Sequence, residues 1–137
     1  QWTEFEVSIF STCLEGLQIG DAFALGCEML ERSKFYINLP YNAILIKNAT
    51  LNLFVYMVIR ENYAYARYFE IELNRLLSDL DMELKISFHI FKTLASYKQE
   101  KSPELLVKLR GYVQVLKDFE CGAWAERLAM FLERYGN

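Results

Sequence analysis

The sequence has few of the residues that build catalytic or metal centres. It contains a single histidine, His89, and its three cysteines are widely spaced with no CxxC pair. Metal sites need several His, Cys or carboxylate ligands at set spacings, and no such pattern occurs. The six glycines are scattered, so no glycine-rich phosphate loop is formed. We therefore predict no cofactor, no metal site and no catalytic residue; a hydrolase that pairs a cysteine with His89 is the one catalytic alternative.

Two further absences bear on where the protein works. An odd number of cysteines without paired spacing indicates reduced thiols, and hence a cytoplasmic protein. The net charge is -3 and the isoelectric point is about 5.3, without clusters of Lys and Arg. Nucleic-acid surfaces are normally basic, so this chain is not expected to bind DNA itself. It begins at Gln1, and we interpret residues 1–137 as one domain cut from a longer protein.

A long uninterrupted apolar run is also missing. The most apolar stretch, residues 41–59, approaches the roughly 20 residues that a membrane span requires. Asn42, Lys47, Asn48 and Asn52 interrupt it, and such groups are costly at membrane depth. We therefore predict a buried helix and no contact with a membrane.

What the sequence does contain is helical periodicity. Apolar residues recur at spacings of three and four along most of the chain, which predicts about seven helices. They span about residues 3–17, 21–36, 41–61, 63–80, 81–98, 103–120 and 124–135. Because the connections are short, neighbouring helices should be antiparallel. Helix pairs of about forty residues predict an all-α fold, stacked as a tetratricopeptide-like right-handed superhelix.

Local signals set the predicted helix ends. Asp21 and Ser102 are expected to cap the helices that follow them, and Pro103 suits a first helical position. Gly122 is expected to supply a left-handed turn at the end of the sixth helix. Residues 82–90 alternate apolar and polar as a strand would, but the helical spacing continues beyond them and no partner strand exists. We therefore predict a helix there.

A stripe of polar residues marks the third predicted helix. Asn48 and Asn52 lie one turn apart and therefore share a face, which Tyr56 continues. Asn is a poor helix former, so two of them inside an apolar helix need an explanation. They either hydrogen-bond a neighbouring element or recognise a ligand. A carboxamide carries a donor and an acceptor together, which matches the N–H and C=O of an extended peptide.

Two other groups of side chains are candidates for binding. Arg67 and Asn74 lie two turns apart on the fourth predicted helix and would face the same groove, unless Arg67 pairs with Glu70 on the surface. The last helix is strongly apolar, although a terminal helix of a repeat stack must be covered by polar residues or by a partner. A homodimer is therefore predicted, with an interface formed by Trp124, Leu128, Phe131 and Tyr135.

Several segments resemble the regulatory domain of the Rgg/GadR/MutR family of Gram-positive transcriptional regulators. The likeness begins at Trp2-Thr-Glu-Phe-Glu6 with Ile9-Phe10, and it continues in the region of Asn52. It extends to Leu84-Lys85-Ile86-Ser87-Phe88, and then from Leu105 through Leu116 to Asp118-Phe119. The resembling segments follow the family order and cover most of the chain.

The resemblance implies a function that composition does not show. Family members carry an N-terminal helix-turn-helix domain that binds promoter DNA, and a helical C-terminal domain that dimerises. In several members the C-terminal domain binds a short imported peptide. Asn52 falls where such domains often place a peptide-contacting Asn. A second Asn often follows the phenylalanine of the first helix, and here Ser11 and Thr12 take that place.

Two functional hypotheses remain at this point. The first is the ligand-sensing and dimerisation domain of a transcriptional regulator, which reaches promoter DNA only through a helix-turn-helix domain upstream. The second is a protein-interaction scaffold of helical repeats with no small ligand. The stripe of Asn48 and Asn52 separates them, because it would contact a peptide in the first and be structural in the second.

Overall fold

The computed structural model describes residues 16–34 and 40–135, and every regular element within these residues is helical. The described helices are α1 (Ile19–Arg32), α2 (Pro40–Ile59), α3 (Tyr63–Leu76), α4 (Met82–Glu100), α5 (Pro103–Asp118) and α6 (Gly122–Tyr135). The all-α prediction is confirmed, including the helix across residues 82–90. The first predicted helix lies almost wholly outside the described residues.

Two compact units divide the chain, residues 1–85 and residues 86–137, and the division falls within α4. In unit 1 the core is built around α2, which is apolar on nearly all sides. Its fully buried side chains include Leu53, Phe54, Met57 and Val58, and Met29 of α1 and Leu73 of α3 are also fully buried. The core of unit 1 therefore covers most of the surface of this largely apolar helix, as its composition requires.

Gly26 lets α1 approach the other helices of unit 1. A Cβ atom at this position would lie 2.8 Å from Leu53 Cδ1 and 2.8 Å from Phe69 Cζ. Leu53 and Phe69 are both fully buried, so neither can move away without disturbing the core. The missing side chain is thus what allows this approach.

An aromatic cluster ties α1 to α3. The ring of Phe23 stacks on Tyr65, with centroids 3.9 Å apart and planes 7° from parallel. It also meets Tyr68 and Phe69 edge to face, at centroid distances of 5.4 Å and 5.7 Å. Such pairs contribute roughly 0.5–1.5 kcal/mol each beyond the area they bury. The cluster gives α1 a fixed position against α3.

Unit 2 has a smaller core in which each helix contributes one side. Its buried members are Ile90, Leu94, Leu109, Leu116, Ala125 and Leu128. Phe91 of α4 and Phe131 of α6 close one edge, with ring centroids 5.0 Å apart in an edge-to-face arrangement. This is the one-sided burial expected of amphipathic helices.

Three of the helix ends turn through left-handed residues that are not glycine. These are Glu61, Lys101 and Glu120, with φ angles of 58°, 54° and 62°. After α5 the N–H of Cys121 donates to Leu116 O and that of Glu120 to Lys117 O, which is a Schellman motif. The prediction that Gly122 supplies this turn is therefore wrong, because Gly122 is the first residue of α6.

Other predicted helix limits also shift. Asp21 lies in the first turn of α1, and Gln18 occupies the N-cap position instead. Ser102 is the N-cap residue of α5 as predicted, but its side chain forms no capping hydrogen bond. The fourth predicted helix ends at Leu76, four residues early, and Leu80 is 96% exposed in the turn that follows.

Within the described residues, one helix is long and apolar enough to cross a membrane by length and composition. It is the segment Tyr41–Ile59 of α2, with a mean hydropathy of 1.4, and half of it is buried inside the protein. A core helix of a soluble domain meets the same criteria. The packing of α2 in unit 1 agrees with the prediction of a buried helix.

Candidate ligand-binding surface

One side of α2 is left open to solvent. Tyr41 and Ile44 are 59% and 53% exposed, and Asn48 and Asn52 are exposed one and two turns further along. Their spacing of three to four residues places all four on one side of the helix. We call this set the amide face. It combines two carboxamides with an apolar flank.

The two carboxamides differ in their hydrogen bonds. Asn48 Nδ2 donates to the carbonyl of Ile44, at 2.9 Å, one turn earlier in the same helix. This bond fixes the orientation of the side chain and leaves Oδ1 as a free acceptor within the described part of the chain. Among the described residues Asn52 forms no side-chain hydrogen bond, so both its donor and its acceptor are open to a ligand.

Tyr56 does not belong to this surface. Its side chain is 7% exposed, and its hydroxyl donates to Leu17 O at 2.7 Å. Arg60 Nη1 donates to the same hydroxyl at 2.9 Å, and the guanidinium lies over the ring. The hydroxyl is therefore occupied as both donor and acceptor. The structure separates Tyr56 from the stripe that Asn48 and Asn52 share.

The only charge on α2 is neutralised within unit 1. Lys47 Nζ lies 2.9 Å from Asp81 Oδ2, and both side chains are 17% exposed. The same oxygen accepts from the backbone N–H of Ser78 at 2.8 Å. The hydrogen bond from Lys47, followed by that from Ser78, holds the pKa of Asp81 below its ordinary value of 3.8. The amide face beside Lys47 is thus left without an unpaired charge.

The other predicted peptide-binding residues lie elsewhere or outside the described residues. Arg67 and Asn74 are both exposed on α3, and Arg67 forms an ion pair with Glu70, the alternative that the sequence left open. Neither has a described contact with the amide face. Ser11 and Thr12 lie outside the described residues.

The predicted dimer residues are used largely inside unit 2. Leu128 is 5% exposed in the core, and Trp124 and Phe131 pack partly buried against the same core. The side chain of Tyr135 lies outside the described residues. The large apolar side chains that unit 2 exposes are instead Ile86, Val107, Val115, Phe119 and Met130. This second set has no counterpart in the sequence-based prediction.

The groups considered for catalysis have other partners. His89 Nε2 lies 2.9 Å from the hydroxyl of Tyr112. Burial raises the pKa of the Cys27 thiol above its ordinary value of 9.0, so the unreactive protonated form is favoured. Burial, then a hydrogen bond with Cys27, raises the pKa of Tyr68 to about 12. Within the described residues no cluster of His, Cys, Asp and Glu is suited to a metal ion.

Comparison with known protein families identifies the family of this chain. The family described as HTH-type transcriptional regulator Rgg, C-terminal domain, matches residues 1–129. The chain belongs to this family. It is therefore the C-terminal regulatory domain of an Rgg-type transcriptional regulator, as the resemblance at Trp2–Glu6 and in the later segments implied. Membership of a regulator family also agrees with the prediction that the protein is not an enzyme. No curated protein matches the chain.

In this Rgg domain, sequence reasoning missed two sets of contacts. They are the Lys47–Asp81 pair and the bond from Tyr56 to Leu17. The position of Lys47 could have predicted an ion pair, because a single charge in a long apolar helix needs a nearby carboxylate. Nothing in the sequence predicts the hydrogen bond of Tyr56, since its partner is a backbone carbonyl 39 residues away.

Proposed function

We propose that this Rgg domain senses a short peptide that lies extended along the amide face of α2. The observation that supports this proposal is the exposure of Asn48 and Asn52, one turn apart, in the stretch Ile46–Val58 of α2, where every other side chain is buried or half-buried. Their exposure means that packing within unit 1 does not account for two poor helix formers. Recognition of a ligand would account for both.

The spacing of the two side chains fits an extended backbone. Residues four apart on a helix rise by about 6 Å, and alternate residues of an extended chain are about 6.8 Å apart. Each carboxamide can therefore reach a peptide unit that faces the helix, donating to its C=O and accepting from its N–H. Tyr41 and Ile44 would cover apolar side chains of the same peptide. The lack of an unpaired charge favours an uncharged ligand.

Isothermal titration with a panel of synthetic apolar octapeptides tests the proposal. For a peptide that binds, Asn52→Ala should weaken affinity about tenfold or more, because buried polar groups of the peptide lose their partners. Asn52→Asp should weaken it similarly, since the donor is lost while the shape is kept. Gln99→Ala is the matched control: Gln99 is an exposed helical amide of unit 2 that bonds its own helix as Asn48 does.

Equal affinity of the wild-type chain, Asn48→Ala and Asn52→Ala for every binding peptide would contradict the proposal. The scaffold without a small ligand would then be favoured. One observation already supports that alternative, since the bond from Asn48 to Ile44 O is also what a purely structural side chain would form.

The whole regulator is proposed to act as a cytoplasmic homodimer, with a helix-turn-helix domain upstream of this chain that binds promoter DNA. Exposed apolar side chains of unit 2, notably Phe119 at 75% and Met130 at 63%, support self-association. Analytical ultracentrifugation tests it: Phe119→Ser with Met130→Ser should produce monomers, and Leu80→Ser should leave the dimer intact. Unchanged assembly of the double variant would exclude this surface.

A further inference from the structure

The buried hydroxyl of Tyr56 connects two parts of unit 1 that are distant in sequence. It donates to the carbonyl of Leu17 at 2.7 Å and accepts from Arg60 Nη1 at 2.9 Å. The guanidinium of Arg60 also lies 5.5 Å from the centroid of the Tyr56 ring. The Leu17 carbonyl and the Arg60 guanidinium therefore meet at the Tyr56 hydroxyl, and Tyr56 itself is 7% exposed.

Leu17 lies directly before the N-cap residue of α1, so its hydrogen bond with Tyr56 affects how this helix begins. Gln18 is the N-cap residue of α1, with φ and ψ of -70° and 150°, so the chain is extended as it reaches the helix. The first bond inside α1 runs from Ala22 N–H to Gln18 O, at 2.9 Å. Holding the carbonyl of Leu17 therefore holds the residue that begins the hydrogen bonding of α1.

We propose that Leu17, Tyr56 and Arg60 form a latch that fastens the start of α1 to the last turns of α2. Arg60 acts as a positioning residue, because its bond and its charge over the ring hold Tyr56 in the orientation that reaches Leu17. Asn52 precedes Tyr56 by one turn on the same helix, so one rigid element joins the amide face to the start of α1. A role of this connection in peptide sensing rests on the proposed function, whereas the latch itself does not.

Hydrogen exchange of the ligand-free 137-residue chain, followed residue by residue by NMR, tests the latch. Tyr56→Phe keeps the ring and removes the hydroxyl. Exchange of the Ala22 amide should become about tenfold faster through local opening, the effect of losing one buried hydrogen bond. Arg60→Ala should accelerate it about threefold. Arg60→Lys keeps a donor and should restore exchange close to that of the wild type.

Val58→Ala is the control for a merely structural effect. Val58 is fully buried on the same helix, and its side chain has no group that could hydrogen-bond the Tyr56 hydroxyl. Its loss should accelerate exchange across unit 1 without a preference for the start of α1. If Tyr56→Phe gives the same uniform pattern, or leaves Ala22 unchanged, the latch is overturned. Because no peptide is present, neither result depends on whether the domain senses one.

Discussion

Two helices at the centres of the two units bury their side chains in different ways. On α2 buried residues occur at most positions from Ile46 to Val58, and the exposed ones form the narrow amide face. On α5 only Leu109 and Leu116 are buried, while Val107 and Val115 are 67% and 46% exposed. The comparison shows that α2 is held from several sides and α5 from one.

The difference in packing determines how far each helix can relax when a buried side chain is made smaller. A helix packed on several sides leaves few directions for relaxation, because protein interiors are close-packed. A helix packed on one side can tilt or shift toward its partner when atoms are removed. The same substitution should therefore cost more on α2 than on α5.

The largest expected effect comes from truncating one buried leucine on each helix. Leu53 and Leu109 are both fully buried. Leu53→Ala should lower the free energy of unfolding by about 4–5 kcal/mol and Leu109→Ala by about 3 kcal/mol, the two ends of the range for such cavities. Urea denaturation of both variants measures the difference. Equal losses would show that α5 is as constrained as α2.

The second test adds a methyl group at a glycine of each unit instead of removing atoms. At Gly26 an added methyl group would meet Leu53 and Phe69, whereas at Gly111 of α5 nothing lies within 4 Å. Gly111→Ala should stabilise by about 1 kcal/mol through helix propensity. Gly26→Ala should destabilise by about 1 kcal/mol, because overpacking by roughly 2 kcal/mol exceeds the same gain. Thermal and urea unfolding report both signs, and a stabilised Gly26→Ala would refute the close packing of α1.

The smallest effect concerns the charge on α2. Asp81→Asn leaves the mostly buried ammonium of Lys47 without a carboxylate and should cost roughly 0.5–1 kcal/mol at neutral pH. Asp79 is the matched control, since it pairs with Lys85 at the same 2.9 Å but is fully exposed. Asp79→Asn should therefore change stability very little. Similar decreases in the free energy of unfolding of the two variants would contradict the claim that burial strengthens the Lys47–Asp81 pair.

The pH dependence of unfolding follows from the same pair. The pKa of Asp81 is lowered below 3.8 in the folded protein, so the unfolded state binds more protons as the solution becomes acidic. The contribution of the pair is present above about pH 4 and is lost as pH falls through the folded pKa. In Asp81→Asn the acid side of the stability curve should be flatter than in the wild type, as melting temperatures from pH 2 to pH 7 would show.

Sequence periodicity was sufficient for helix type and order, but not for details that depend on rotation or on distant contacts. Each step of four residues turns about 40° around a helix axis, so Tyr56 lies about 80° from Asn48 and faces the core. Asn52, one step away, stays on the open side. The end of α3 was missed because Leu77 is extended ahead of the Ser78–Asp81 turn, where the leucine pattern continues without a helix. The ion pair of Lys47 was missed because its partner is 34 residues away.

The hydrophobicity of α2 also constrains how the domain is made. A helix apolar on nearly all sides would be prone to aggregation if it waited long for its partners during synthesis. Here α1 precedes it and α3 follows it directly, through the single turn at Glu61 and Asn62. Contacts between neighbours in sequence form quickly, because little chain entropy is lost in closing short loops. The order of the helices thus shields the most vulnerable one as soon as the third has left the ribosome.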